Sequence, residues 1–416
     1  MHSGTRAQLS FMMFLEFFVW GSWYVTMGTF LVTNLGASYT QIAAAFSTQS
    51  FGAIIAPFII GLIADRYFNA EKILGFLHLI GAVLLYLCYQ ATSFELFYPF
   101  IFGYMVLYMP TLALVNSVSF RQMKDPEKEF SPIRVWGTIG WIAAGLSISY
   151  VFLWDEAANM SNGFLKNTFL MASISSLVLG LFSFTLPKTP PRANKTKKVN
   201  MGDLIGLDAL KLLKDKNYAI FFLSSILICI PLAFYYQNAN PFLAEIGVSD
   251  PTGKMTIGQV SEALFLLLLP FFFKRFGFKM TMLVGMLAWV IRYALFSIGD
   301  AGNGLYLLIL GIALHGICYD FFFVSGQIYT DSKAGEKFQS SAQGLITLAT
   351  YGLGMLIGFA VAGQVTDLYL NADGTHDWKS IWMIPSGIAI LVVLIFLIFF
   401  KNETMNKKPE IKPIES

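Results

Sequence analysis

The sequence predicts an all-α membrane protein of twelve membrane-spanning helices, arranged as two halves of six around a polar linker. Three observations lead there. Of 416 residues, 56% are hydrophobic and 13% charged, whereas soluble domains carry roughly 25% charged residues. Apolar stretches recur at about the 20 residues that a helix needs to cross a bilayer. Lys and Arg gather in alternate loops, as the positive-inside rule requires.

Taken in order, the first window (9–32) follows a lone Arg6; it is too long for a signal-peptide core and reads as a retained helix. Further windows fall at 42–63, 71–92, 96–119, 132–153 (opened by Pro132, which suits a helix start) and 164–186. These make an N-terminal bundle, 1–186. Residues 187–217 form a cytoplasmic linker with Pro187, Pro190, Pro191 and eight basic residues. Within it, Leu204 to Leu213 spaces apolar residues as a short amphipathic helix on the membrane surface would; a plain solvated linker fits equally. Windows at 218–244, 256–274, 278–298, 303–329, 338–366 and 379–400 make the C-terminal bundle, 218–400, before a cytoplasmic tail, 401–416.

With the N-terminus inside, cytoplasmic segments hold 23 Lys and Arg, and the outside loops hold only Lys166, Lys254 and Lys379. Both termini are therefore expected in the cytoplasm. The halves echo each other: Pro57-Phe58 and Pro270-Phe271 each precede a basic cytoplasmic turn. Such repeats suit a transporter whose halves rock about a midplane site.

The same sequence excludes several classes. A net charge of +3 leaves no nucleic-acid footprint. Unbroken apolar runs such as Ile388 to Phe400 do not alternate as strands of a membrane barrel do. Cys88, Cys229 and Cys318 sit in apolar stretches without disulfide or metal spacing, and the four histidines are scattered. No phosphate loop, HExxH or Ser-His-Asp set is present. The chain reads as neither enzyme nor ATPase, with no metal or cofactor, and an ion gradient is the natural energy source.

An ionisable residue inside a span costs roughly 2.5–3.5 kcal/mol on insertion scales, so each needs a reason. Asp320 sits mid-span; burial favours the neutral form of a carboxyl group, which makes it a candidate to take up and release a proton. A structural ion pair is the alternative. His315 and Tyr319, four apart, share a face of that helix. Gln259 and Glu262, three apart, pair an amide with a carboxylate suited to sugar hydroxyls or a base edge. Arg134 and Thr138 are four apart, though Arg134 could simply snorkel to the interface. Arg292 reads as structural, and Glu16 lies near enough to the inner end of its helix for interface exposure to explain it. Tyr235-Tyr236-Gln237-Asn238-Ala239-Asn240-Pro241 is a polar break that would be costly facing lipid. Trp20, Trp23, Tyr24 and Asn116 add aromatic and amide groups to other spans.

These residues carry a resemblance. Gly61-Leu62-Ile63-Ala64-Asp65-Arg66 resembles the signature turn between helices two and three of the major facilitator superfamily. Within it, Phe18-Val19-Trp20-Gly21-Ser22-Trp23, Arg134-Val135-Trp136-Gly137-Thr138, Ser261-Glu262-Ala263-Leu264-Phe265 and Arg292-Tyr293-Ala294-Leu295-Phe296 are similar to the nucleoside:proton symporter family, over about residues 8–400. The resemblance implies proton-driven nucleoside uptake, with Arg134, Thr138, Gln259, Glu262, Tyr319 and Asp320 at a central cavity and Gly61, Asp65 and Arg66 in a conformational loop. It departs from the best-known member at His315 and Tyr319, where that protein has Tyr and Phe. It departs again in helix seven, where the aligned positions are Ala233 and Tyr236, with Gln237 just after.

The resulting expectation is a proton-coupled nucleoside importer working by alternating access. Arg134, Gln259 and Glu262 hold ribose and base edge, Tyr319 or Tyr236 stacks on the base, and Asp320 or Glu262 carries the proton, with His315 as a further titrating group. A monomer in a bacterial inner membrane is expected. A transporter of another small polar solute (sugar, nucleobase or drug) and a non-transporting receptor are the alternatives.

Overall fold

The computed structural model describes residues 2–59, 68–191 and 207–402. Among them every regular element is helical, apart from an isolated bridge between Leu370 and His376. Before the linker the longer helices are α1 (Ser3–Gly21), α2 (Met27–Leu35), α3 (Tyr39–Ile59), α4 (Ala70–Gln90), α5 (Phe94–Arg121), α6 (Ser131–Leu146) and α7 (Asn167–Ser183). After it come α8 (Lys216–Glu245), α9 (Pro251–Ile298), α10 (Leu305–Ala334), α11 (Ser341–Leu368) and α12 (Trp378–Phe399). Eight helices of the described residues are long and apolar enough to cross a membrane.

Local chemistry sets the ends. Ser93 caps α5 by accepting from Leu96 N at 3.4 Å, and Asp215 caps α8 by accepting from Tyr218 N at 3.0 Å. The expected first window proves to be two helices, α1 and α2, parted by a turn at 22–26. The expected windows 256–274 and 278–298 share α9, whose backbone leaves helical geometry at Gly277, φ 73°, a conformation that glycine adopts without strain. The Gly61, Asp65 and Arg66 loop lies outside the described residues, as does most of the basic linker. The linker's described end, Leu207–Lys214, buries Ala209 against Ala334, Ala342 and Leu345, so protein covers that apolar face.

Large apolar side chains such as Leu181, Leu267, Phe271 and Ile398 are exposed, which is the surface a bilayer would cover. Inside, glycines let helices approach closely. Gly140 of α6 leaves no room for a Cβ against the backbone of Phe14 in α1. Glu16 corrects the sequence reading: it is fully buried, not interfacial. Its carboxylate faces His78 Nε2 at 2.9 Å and accepts from Thr111 Oγ1 at 2.5 Å, while Ser176 Oγ lies 3.0 Å from His78 Nδ1. The group ties α1, α4, α5 and α7 together, and a buried charge needs such partners.

Helices before and after the linker are joined by hydrogen bonds at one end of the bundle. Asp367 of α11 accepts from Tyr39 N and Thr40 N, both at 2.8 Å, and from Thr40 Oγ1 at 2.5 Å, at the start of α3. Reciprocally, Asp155, just beyond α6, accepts from Thr252 N at 2.9 Å at the start of α9. Ser149 Oγ donates to Asp155 at 2.6 Å and accepts from Gly253 N at 2.7 Å. Each carboxylate thus caps a helix from the other side of the linker, where the exposed N–H groups and helix dipole favour an anion. Thr29 Oγ1 adds a bond to Asn240 Oδ1 at 2.5 Å.

Candidate functional site

A cavity of about 350 Å³ lies between α1, α3, α5, α6 and α8–α11, within the roughly 300–1,000 Å³ range of small-molecule sites. Each helix contributes through side chains a turn apart. From α6 come Arg134, Thr138 and Trp141; from α9, Gln259 and Glu262; from α10, His315 and Tyr319; from α8, Tyr236.

Several polar groups that line the cavity make no hydrogen bond to the described residues. Arg134 rests its guanidinium over the Phe17 ring at 4.1 Å, and no hydrogen bond or ion pair to the described residues occupies its donors. The Thr138 hydroxyl and the Gln259 amide are also uncommitted among the described residues. Glu262 has one polar neighbour, His315 Nε2, at 3.8 Å, too far for a hydrogen bond. The buried side chains of Glu16 and Asn240, by contrast, are paired, whereas Ser50 and Ser224 keep hydroxyls without partners among the described residues. A cation, a carboxylate, an amide and a hydroxyl left open toward one space can bind a polar ligand through several directed bonds.

Aromatic rings line the same space. Trp20 meets Trp141 edge-on at 5.4 Å, and Tyr24 meets Tyr236 at 5.7 Å. Tyr24 also donates to Gln49 Oε1 at 2.5 Å. Tyr319 and Tyr351 share a hydroxyl–hydroxyl bond. Flat apolar faces beside hydrogen-bonding groups fit a ring with polar edges.

Seven of the expected site residues converge: Arg134, Thr138, Tyr236, Gln259, Glu262, His315 and Tyr319 all line the cavity. Two do not. Gln237 is fully buried beside it and donates to the Tyr39 carbonyl at 3.4 Å, because the next residue on a helix turns about 100° away from Tyr236. Asp320 is buried, absent from the lining, and opens a five-residue π-helical turn, Asp320–Val324. Its Oδ2 has no hydrogen-bond partner among the described residues. π-turns are often found at functional sites. Gln49, Trp141, Thr347 and Tyr351 line the cavity although the sequence did not single them out. The polar run Ser47-Thr48-Gln49-Ser50 inside an apolar window was a signal for the first. Nothing separated Tyr351 from a tyrosine at the lipid interface.

Residues 3–405 match the Nucleoside H+ symporter family. The chain belongs to the nucleoside H+ symporter family. It is 42% identical, over 96% of its length and 94% of the relative's, to YegT of Escherichia coli (strain K12), described as a candidate nucleoside transporter. It is 34% identical to the xanthosine permease of the same organism, covering 97% of both chains. The crystal structure of the nucleoside transporter NupG superposes with a TM-score of 0.85 at 32% identity, covering 96% of this chain and 100% of that one. The protein is therefore an integral membrane protein of a transporter family.

Proposed function

We propose that this chain is a proton-coupled nucleoside importer of a bacterial inner membrane, working by alternating access as a monomer. The carrying observation is the cavity on which Arg134, Thr138, Gln259 and Glu262 converge, none of them hydrogen-bonded to the described residues. Family membership supplies the substrate class and the coupling ion.

On this reading the chain has twelve spans in two halves, 1–186 and 218–400, with a cytoplasmic linker and tail. The Lys and Arg bias puts both termini inside, so the end closed by Asp155 and Asp367 faces out and the described state faces in. Arg134 and Glu262 hold ribose hydroxyls and the base edge with Gln259 and Thr138, and Tyr236 or Tyr319 stacks on the base. Asp320 carries the proton, with Glu262 as the other candidate: a carboxyl whose Oδ2 lacks a partner in a buried π-turn is suited to hold a proton in one state and lose it in another. The proton gradient is the energy source, with no bound cofactor.

The test is uptake of labelled uridine with and without a protonophore. Accumulation should collapse with the gradient. Asp320→Asn should keep binding and lose accumulation. A scaffold or receptor would accumulate nothing at any pH gradient. A sugar, nucleobase or drug carrier would show no saturable nucleoside uptake.

A further inference from the structure

We propose that Arg292 is a positioning residue of the nucleoside site, acting through His315; this rests on the reading of the cavity as that site. Arg292 lies on the part of α9 beyond Gly277 and is fully buried. Its Nη1 is 2.9 Å from His315 Nδ1. A guanidinium can only donate, so Nδ1 must accept and carries no proton. The imidazole is thereby held neutral, with its proton on Nε2. That nitrogen faces Glu262 Oε2 at 3.8 Å, and both residues line the cavity. The wall thus offers a fixed donor, Nε2–H, beside an acceptor, the Glu262 carboxylate. A ligand edge with a neighbouring acceptor and donor matches it, such as the carbonyl and N–H of a base or two ribose hydroxyls.

The surroundings fit this role better than a structural ion pair. Arg292 meets no carboxylate at ion-pair distance among the described residues, and its Nε and Nη2 have no hydrogen-bond partner there. Its charge rests on the Tyr235 ring at 3.4 Å, with Trp289 and Phe296 at 5.5 and 5.6 Å. Among the described residues its Nη1 bonds to His315, the histidine in the cavity wall. Tyr235 also stacks on that imidazole at 5.1 Å, fixing its plane. Titratable groups facing the imidazole are Glu262 and Arg292 of α9, Tyr235 and Tyr236 of α8, and Tyr319 on its own helix.

The experiment is initial-rate uridine uptake in proteoliposomes, normalised to folded protein, for Arg292→Met alone and in a His315→Gln background, where the amide donates without a tautomer to fix. Arg292→Met should raise KM about tenfold or more, the loss expected for one directed bond from a charged donor, with Vmax within about threefold. Arg292→Lys, which keeps a donor but loses the planar group stacked on Tyr235, should undo only part of the KM rise of Arg292→Met. In the His315→Gln background Arg292→Met should shift KM by less than about threefold. An equal rise in both backgrounds, or no rise in either, overturns the proposal. Where Arg292→Met does not fold, Arg292→Leu, which also lacks a donor, carries the same comparison. Absence of uptake by the unsubstituted chain would overturn the nucleoside reading, and this proposal with it.

Discussion

Alternating access requires the sealed end to open, so the two reciprocal caps are where its energetics can be read. Removing Asp367 with Asp367→Ala deletes the acceptor for Tyr39 N, Thr40 N and Thr40 Oγ1. A lost N-cap costs about 1 kcal/mol, and the loss of an anion at a helix N-terminus adds roughly 0.3–1 kcal/mol. Because these bonds cross between the two sets of helices, most of that penalty falls on the closed state. At about 1.4 kcal/mol per factor of ten, the closed-to-open ratio should drop roughly ten- to thirtyfold. Adding Asp155→Ala, which removes the matching cap on α9, should push further in the same direction. Spin labels at Ser161 and Leu370, both exposed at that end, report the opening by pulsed electron resonance. The native cysteines, Cys88, Cys229 and Cys318, are all buried and stay unlabelled. Longer distances should gain population in the single variant and dominate in the double. An unchanged distance distribution in a double variant that still binds nucleoside would refute the latch.

Three further outcomes follow from other contacts. Glu262→Gln should raise the KM for uridine roughly ten- to a hundredfold, the range for one hydrogen bond to a charged group; its melting temperature in detergent should hold, because Glu262 makes no hydrogen bond to the described residues. Gly140→Ala should destabilise the protein by about 1–3 kcal/mol through overpacking against Phe14, and uptake should fall with it, since α1 and α6 carry Trp20, Arg134 and Thr138. Glu16→Ala should destabilise by about 1–3 kcal/mol by leaving the buried His78 Nε2 without a hydrogen-bond partner, seen as a lower melting temperature and folded yield with KM unchanged in what folds.

By itself the sequence located stretches apolar and long enough to cross a membrane and marked which residues could matter there. Apolar length and loop charge are local properties, so windows such as 71–92 and 218–244 emerge as Ala70–Gln90 and Lys216–Glu245. A polar residue inside such a window is conspicuous because it is costly, and that marked Arg134, Gln259, Glu262 and His315. Only the tertiary structure decided which of them face one space. Tyr319 and Asp320 are neighbours in sequence, yet one lines the cavity and the other does not, since a helix turns about 100° per residue. Glu16 needed His78 and Thr111, from two other helices, to show why a carboxylate sits there. Helix-to-helix register brought Tyr351 to Tyr319 and Arg292 to His315, and it set Asp155 and Asp367 on the helix ends they cap. Such pairings depend on rotation and depth fixed by packing across the bundle, which no single stretch of chain encodes.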